Sequence, residues 1–582
     1  MPGAGPLAAR VVPDVSGLDK EFDYLVPEQL RDQVRVGTLV RVPLHGRRVG
    51  GWVVALGATT VEPAKLKPIA KVTGHGPSAD LVELARWAAH RWCGPLRAVL
   101  TSASPPGAVK VLPGPRYATA TARAVDAEVA ALLARGGGVI RRPPAGSVLP
   151  VLLAAAALGP LLVVLPSVDR AAVAAARLRR AGLTVAELPD QWAAAAAGVD
   201  VVVGARRAAW APVPGLAAVV VLDEHDEALQ EERSPTWNAR DVARERAERA
   251  GVPFLAVSPV PSIAALEWAG DRVLEPSRIE EREGWPIVEV IDRNDDDPWV
   301  TSMVTSRLIQ HLRDPDRRVV CVLNTTGRAR RLACKACREL AMCEKCSTPV
   351  SEQREGILQC GRCGTERPKL CQACGAARLV MLRPGVSRLR EELEAAAGRP
   401  VAEVTGATVN AVDPRCMVYV GTEAVLHRVR RIDTVAFLDL DSELLAPRYR
   451  AGEEALALLA LAGRLVGGRA GGGRLLLQTY LPGHEVIEAV LLADPPRASG
   501  ELTEQRRDLG FPPFAALAAL SGAGADEYAA ALRTSGSVEV LGAAAERFLV
   551  RAPTPDALAD GLAGVPRPFG SRIRIEVDPP RI

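Results

Sequence analysis

Apolar and polar residues change period several times along this chain. "TLVRVPLHGRRVGGWVVAL" alternates apolar with polar residues around a Gly-containing turn, which predicts small β-rich structure in the first hundred residues. "SADLVELARWAAHRW" then predicts a helix with an Asp in its first turn, and "TSASPPGAVKVLPGP" reads as a linker by composition. From about Ala122 to Gly270 the short strands "LLVVLP", "VDVVVGA", "LAAVVVLDE" and "VPFLAVS" alternate with Ala- and Arg-rich helical stretches. That alternation predicts a parallel sheet with helices on both faces. A second α/β stretch begins near Arg317 with "RRVVCVLNTTG", is interrupted by cysteines, and resumes through "CMVYVGTEA", "TVAFLDLD" and "GRLLLQTY". A last segment, from about Pro482, ends in the strand "SRIRIEVDP". No long-period repeat stands out.

One uncharged run, "VLPVLLAAAALGPLLVVLP" from Val148 to Pro166, is long enough to raise the question of a membrane span. Pro150, Gly159 and Pro160 interrupt it, so it predicts a helix, a Gly-Pro stop and a buried parallel strand. "MPGAGPLAARVVPDV" lacks a basic start followed by an apolar stretch, so no signal peptide is expected. These features predict a cytoplasmic protein with no membrane partner.

Length and charge narrow the classes further. At 582 residues the chain exceeds a single core, and three or four domains are expected. The net charge of +4 excludes a general polycation, so any nucleic-acid surface must be local. The heavy use of Ala, Arg, Gly and Pro reads as coding bias.

Eight of the eleven cysteines fall in one block, as "CKACRELAMCEKC", "CGRC" and "CQAC". The four C-x-x-C knuckles are Cys334/Cys337, Cys343/Cys346, Cys360/Cys363 and Cys371/Cys374. A C-x-x-C turn brings two thiolates to one tetrahedral ion, and eight thiolates suit two closed, structural zinc sites. Spacing alone does not fix the pairing. The loop between Cys346 and Cys360 resembles a zinc-ribbon hairpin, which favours Cys343, Cys346, Cys360 and Cys363 in one site. Cys334, Cys337, Cys371 and Cys374 then form the other at the hairpin's base. Iron–sulfur ligation and redox pairs are the alternatives. Cys93, Cys321 and Cys416 have no nearby partner in sequence.

"VVVLDEHDEALQ" runs an apolar strand into Asp223 and Glu224. NTP-driven machines hold Mg²⁺ and polarise a water with such a pair, and a solvated strand end carries one as often.

Two α/β lobes, the second interrupted by eight cysteines in this order, resemble the primosomal protein N-prime (PriA) family of replication-restart helicases. "FDYLVPEQL", "LVELARWAAHRWCGPLRAVL", "NARDVARERA", "AFLDLDSELLAPRYRAGE", "LLLQTYLPGHEVI" and "RRDLGFPPF" follow in the order of that family, over nearly the whole chain. The resemblance implies an α/β multidomain architecture with two RecA-like lobes of the P-loop type. It places a DNA 3′-end-binding domain at 1–105, a linker at 106–121 where the family's winged-helix domain is missing, and lobe 1 at 122–275. Lobe 2 begins at 276–332, carries a zinc-binding insertion at 333–376 and resumes at 377–481. An α+β domain follows at 482–582.

The same resemblance assigns roles. Phe22, Asp23, Gly46 and Lys67 match the pocket that takes the 3′ end of a nascent strand: Asp accepts from the 3′-hydroxyl, the aromatic supports base or sugar, and Lys neutralises phosphate. Ordinary core packing is the other reading of Phe22 and Tyr24. Arg41, Arg47 and Arg48 suit a basic rim or a solvated strand face, and Arg328, Arg330 and Arg331 suit single-stranded DNA.

The motor is altered. The phosphate loop needs G-x-x-x-x-G-K-[ST], whose backbone N–H groups wrap phosphate while Lys and the hydroxyl hold charge and metal. The family register places "VIRRPPAGSVLPVLL" there, with Val148 for Lys and Leu149 for Ser or Thr, and with Pro143 and Pro144 removing two donors. The acidic box is one acidic residue short, the Ser-Ala-Thr segment reads Ser258-Pro259-Val260, and "AGRLVGGR" retains Arg464 and Arg469 at altered spacing. Two Zn²⁺ and no ATP or Mg²⁺ are therefore expected, with Asp223 and Glu224 as remnants. The expected function is binding of branched DNA with a 3′ end, and of single-stranded DNA, at stalled forks. The implied partners are other primosome proteins, single-stranded-DNA-binding protein and the replicative helicase, with the chain associated with a bacterial nucleoid. An active 3′→5′ helicase with an unorthodox site, and a zinc-ribbon protein of RNA or transcription, are the alternatives.

Overall fold

The structure, a computed structural model, describes residues 7–57, 61–62, 65–118, 126–294, 302–323, 332–337, 339, 341–345, 350–354, 356–360, 363–381, 386–404, 413, 415–544 and 547–581. The N-terminal strands are β1 (Ala8–Pro13), β2 (Phe22–Leu25), β3 (Leu39–Leu44), β4 (Arg47–Gly57) and β5 (Lys71–Gly74), in the order β2-β1-β4-β3-β5. The hairpin between β3 and β4 turns on His45 (φ 47°) and Gly46 (φ 78°), the two positive-φ positions of a tight two-residue turn. The segment before β5 closes the sheet. Leu25 N–H donates to the Lys67 carbonyl (3.0 Å), Ile69 N–H to Leu25 (2.9 Å) and Ala70 N–H to Arg41 of β3 (2.9 Å). Closure removes open edges. Ala9, Val11, Tyr24, Val40, Val42, Val53 and Ile69 fill the interior.

The helix Ala79–Arg91 leads on to a seven-stranded sheet. Its strands are β6 (Gly137–Arg141), β7 (Leu161–Val164), β8 (Val185–Glu187), β9 (Val201–Gly204), β10 (Ala218–Leu222), β11 (Phe254–Ser258) and β12 (Val273–Leu274), in the order β12-β6-β11-β10-β7-β9-β8. All the pairings are parallel. Both faces are covered: Val219 and Val221 of β10 point into one core, Ala218, Val220 and Leu222 into the other. The uncharged run resolves into the helix Leu149–Ala156, a stop at Gly159-Pro160, and β7. Among the described residues no helix is long and apolar enough to cross a membrane.

The second parallel sheet starts with β13 (Ile287–Asp292) and β14 (Val319–Val322). The chain then leaves it for β15 (Leu332–Cys334), β16 (Val350–Arg354), β17 (Ile357–Cys360), β18 (Glu366–Pro368) and β19 (Leu379–Met381). It returns as β20 (Val401–Val404), β21 (Val418–Gly421), β22 (Thr434–Phe437) and β23 (Arg474–Thr479). The order is β13-β23-β22-β14-β21-β20. β13 precedes the point near Arg317 from which the hydrophobic pattern announces this sheet. It is an edge strand with no fully buried position, so it lacks the continuous apolar run of a central parallel strand.

The last sheet, β25-β26-β24-β27, joins β24 (Ala516–Ser521), β25 (Glu539–Ala544), β26 (Arg547–Ala552) and β27 (Arg574–Val577) in antiparallel register. The helices Ala525–Ser535 and Pro555–Gly564 pack on it through Tyr528, Leu532, Leu558 and Leu562, an α+β layer. It is fastened to the rest by Arg91, 2.8 Å from Asp578, and by the Thr236 hydroxyl donating to the Val577 carbonyl at 3.1 Å.

Candidate functional site

The cleft between the two parallel sheets holds the acidic pair. β10 ends at Leu222 and the chain turns sharply at Asp223, whose φ of +51° is uncommon for a residue with a side chain. The turn buries the carboxylate, at 3% exposure, between two arginines. Arg464 comes from the helix Ala451–Val466 of the second lobe and donates both terminal nitrogens, at 2.6 and 3.1 Å. Arg170 comes from the helix Val168–Arg180 of the first lobe and pairs with Oδ2. Burial alone would raise the pKa of Asp223; the charges of Arg464 and Arg170 overcome it and hold the group well below the ordinary carboxylate range.

Glu224 is equally engaged. It is 1% exposed and accepts from Ser262 N–H (2.6 Å), from the Ser262 hydroxyl (2.8 Å) and from Arg240 (3.3 Å). Ser262 caps the helix Ile263–Ala269, so Glu224 anchors a helix start. Ile263 N–H donates across the cleft to Glu453 of the second lobe (2.9 Å), and Glu453 pairs with Arg506. His225 Nδ1 lies 2.6 Å from the Ser258 hydroxyl.

Three amides of the phosphate-loop region are engaged within the fold: Arg142 N–H donates to Ser258 (3.1 Å), Ala145 N–H to Gly284 (3.1 Å) and Gly146 N–H to Pro143 (2.8 Å). Leu149 N–H donates to the Ser147 hydroxyl at 3.3 Å, and Pro143, Pro144 and Pro150 have none to give. The second lobe presses on the same loop. A Cβ on Gly463 would lie 3.2 Å from Pro286 and 3.5 Å from Pro144, and one on Gly468 would lie 2.3 Å from the Glu283 carbonyl. Arg464 Nε also donates to the Pro144 carbonyl (3.3 Å). Position 148 carries no cation, and a divalent ion at Asp223 would face two guanidinium groups. Each unit-charge repulsion there costs about 4 kcal/mol at ~4 Å in a partly solvated site.

The cysteine block does fit metal. β15 pairs antiparallel with β19, setting Cys334 opposite Leu379 and bringing the first knuckle to the last. The sulfurs of Cys334, Cys337, Cys371 and Cys374 lie within 4.8 Å of one another, with Cys334–Cys374 at 3.5 Å and Cys337–Cys371 at 3.4 Å. Tetrahedral ligation at Zn–S ~2.3 Å needs sulfurs ~3.8 Å apart. The hairpin β16–β17, extended by β18, carries the inner set: Cys343, Cys360 and Cys363 cluster, with Cys343–Cys363 at 3.5 Å. Cys346 lies outside the described residues, as do Arg328, Arg330 and Arg331. Gly364 (φ 72°) and Gly375 (φ 72°) follow their knuckles and return N–H bonds to Cys360 (3.0 Å) and Cys371 (2.9 Å), the tight turn a C-x-x-C ligand pair requires. Two cysteine clusters suited to metal ions are thus present, grouped outer with outer and inner with inner.

The barrel distributes the remaining expected residues. Phe22 opens β2 and packs half-buried against the barrel core. Asp23 pairs with Arg10 of β1 at 3.1 Å and is largely buried. Lys67 is exposed on the closing segment, whose carbonyl bonds to Leu25 two residues beyond Asp23. Gly46 sits at the exposed hairpin tip, where a Cβ would meet nothing within 4 Å. Arg41, Arg47 and Arg48 are exposed, and Arg41 neighbours Lys71 across β3 and β5. Phe22 and Asp23, neighbours along β2, face opposite sides of the sheet, and the backbone of Lys67 joins that strand at Leu25, while Gly46 caps the hairpin that Tyr24 reaches through a 3.2 Å bond to Pro43. Sequence reasoning missed Arg170, Arg240 and Arg10, whose roles depend on contacts made only in the fold.

Residues 10–105 match the family model of the PriA 3′DNA-binding domain (3′BD). The chain is 30% identical to "Probable replication restart protein PriA" of Mycobacterium tuberculosis (strain CDC 1551 / Oshkosh), over 96% of this chain and 90% of that protein. It is 28% identical to "Replication restart protein PriA" of Thermotoga maritima, over 56% of this chain and 46% of that protein. With the Bacillus subtilis (strain 168) protein of the same name it shares 25% identity, over 58% of this chain and 45% of that protein. With its barrel, two parallel-sheet lobes, paired cysteine clusters and near-complete alignment, the chain belongs to the PriA family of replication restart proteins.

Proposed function

We propose that this chain binds branched DNA at stalled forks and supports replication restart as a scaffold, without ATP-driven unwinding. The observation that carries the reading is the clamp on Asp223, which Arg170 and Arg464 occupy where a motor would place Mg²⁺. Val148 and the engaged amides of Ala145 and Gly146 support it from the phosphate side. In this reading the barrel takes a 3′ end. Asp23, released in part from Arg10, accepts from the terminal hydroxyl, Phe22 supports the sugar or base, and Lys67 neutralises phosphate. The turn at Gly46 leaves open space for a strand to approach. Arg41, Arg47 and Arg48 extend the basic rim. Both cysteine clusters hold zinc, each with four thiolates and no position left for substrate, so the metal stiffens the insertion and takes no part in chemistry. The restart partners are those that the family resemblance implies, other primosome proteins, single-stranded-DNA-binding protein and the replicative helicase, at the bacterial nucleoid.

The test is a pair of measurements on purified, metal-loaded protein. Hydrolysis of ATP in the presence of forked DNA is expected at background. Competition between forks ending in a 3′-hydroxyl and in a 3′-phosphate is expected to favour the hydroxyl, and Lys67→Ala is expected to weaken binding and reduce the salt slope by about 1. DNA-stimulated turnover that is lost in Asp223→Ala would establish the helicase alternative. Equal binding of both forks, with preference for RNA, would establish the third.

A further inference from the structure

The C-terminal sheet carries a side chain that its core does not use. Phe569 is completely exposed, at 109% of its reference area, and it stands on a rigid turn. Ser571 N–H donates to the Pro568 carbonyl (3.1 Å) and Gly570 has φ +74°, which together describe a type II turn with Phe569 at its first central position. Both flanks are pinned. Arg567 donates to the Cys93 carbonyl at 2.8 Å, at the end of the helix Ala79–Arg91 that leaves the barrel, and Arg572 N–H donates to the Ala523 carbonyl at 3.0 Å. A phenyl ring held in water forgoes roughly 1.5–3 kcal/mol of burial, and a tip so ordered has no packing reason to carry one.

The surroundings identify what covers the ring. Arg567 and Arg572 are exposed on either side of it, and among the described residues neither has a carboxylate within ion-pair distance. Asp19, on the β1–β2 connection of the barrel, is near enough to feel the charge of Arg567, which sets the turn beside the loop that leads into Phe22 and Asp23. A ring flanked along the chain by two exposed arginines, next to a barrel that matches a DNA-binding domain, suits an unpaired nucleobase with phosphates nearby. The geometry points to Phe569 as a stacking platform for an unpaired base at the junction of the bound fork, with Arg567 and Arg572 on the adjoining phosphates. This rests on the branched-DNA reading given above and adds a second contact point, supplied by the C-terminal sheet.

The experiment uses the full chain with forks carrying a 3′-hydroxyl end and 2-aminopurine at the unpaired junction position, and a blunt duplex of the same length. Phe569→Ala, a change at a fully exposed site, is expected to leave the unfolding midpoint unchanged. It is expected to weaken fork binding about tenfold and to abolish the 2-aminopurine quenching, with Phe569→Trp restoring both. Duplex affinity is expected to stay the same. Wild-type and Phe569→Ala affinities that agree on the fork overturn the assignment and leave the branched-DNA reading standing. An equal loss on the blunt duplex overturns it as well, because the ring then serves general adhesion. A wild-type chain that binds no fork overturns both.

Discussion

Arg464 of the second lobe donates two hydrogen bonds to the carboxylate of Asp223 in the first, at 2.6 and 3.1 Å. A bidentate pair of this kind fixes orientation as well as distance. Together with the bond from Ile263 to Glu453 it ties the two parallel sheets across the cleft in which a motor would open and close.

Removing this tie loosens the lobes. Arg464→Ala is expected to lower stability by about 1–3 kcal/mol, because Asp223 stays buried with Arg170 as its remaining partner. Arg464→Lys recovers only part, since an ammonium is a point charge and cannot form the fork. The sign with pH follows from the depressed pKa of Asp223. The contribution is complete above the ordinary aspartate value of ~3.9 and is lost as pH falls from there through the lower folded value. Urea unfolding of wild type and variant is expected to show a gap at pH 7 that narrows at strongly acidic pH.

Placing the family's phosphate-loop residues at positions 148 and 149 is not expected to produce a motor. The double variant Val148→Lys, Leu149→Thr is expected to hydrolyse ATP no faster than wild type with forked DNA present. The amides of Ala145 and Gly146 remain bonded, and Asp223 remains clamped. Turnover well above background in this variant would show that the two side chains alone were limiting.

Metal content is open to direct counting. Atomic spectrometry is expected to find two zinc ions per chain, one for each cysteine cluster, with Cys371→Ser and Cys343→Ser each losing one. Chelation is expected to unfold the β16–β18 hairpin, since structural zinc contributes on the order of 10–16 kcal/mol to such modules. The N-terminal barrel, which holds its own core, is expected to keep its fold through chelation.

Glu454 has the opposite pH behaviour to Asp223. It lies on the helix of Arg464, 2.5 Å from Arg448, yet burial and the facing Glu227 of the first lobe push its carboxyl up to about 8. The arginines at 448 and 450 offset only part of this. The folded state therefore binds a proton that the unfolded state has released, and stability falls as pH rises from ~4.3, the ordinary glutamate value, to about 8. Glu454→Gln is expected to flatten that fall, so that unfolding free energies at pH 5.5 and 8.5 differ less in the variant by about 1 kcal/mol or more.

Much of the architecture is legible before folding. The apolar runs at Leu161–Val164 and Ala218–Leu222 are central parallel strands because both faces of the sheet are covered, and continuous hydrophobicity reports that directly. The edge strand Ile287–Asp292 escapes because a half-covered edge needs no such run. The loss of Lys at position 148 is visible in one residue. The clamp on Asp223 is not, since Arg170 and Arg464 lie far apart along the chain and meet only when two helices from different lobes converge. Both cysteine groupings are favoured by the ribbon-like loop in the sequence, and the β15–β19 pairing supplies the geometry that spacing leaves open. Asp23 is legible as a residue type, while its pairing with Arg10 depends on the register of β1 against β2.

The nested order of the four knuckles has a consequence for assembly. Cys346 and Cys360 enclose the β16–β17 hairpin, whereas Cys337 and Cys371 enclose that hairpin together with both inner knuckles. Closing a chain on itself becomes harder as the enclosed length grows, by about 0.6 kcal/mol for each doubling. An ion at the inner cluster would therefore close its loop at a lower entropic cost than one at the outer cluster, where the β15–β19 pairing already brings the chain back beside the point at which it left the second sheet.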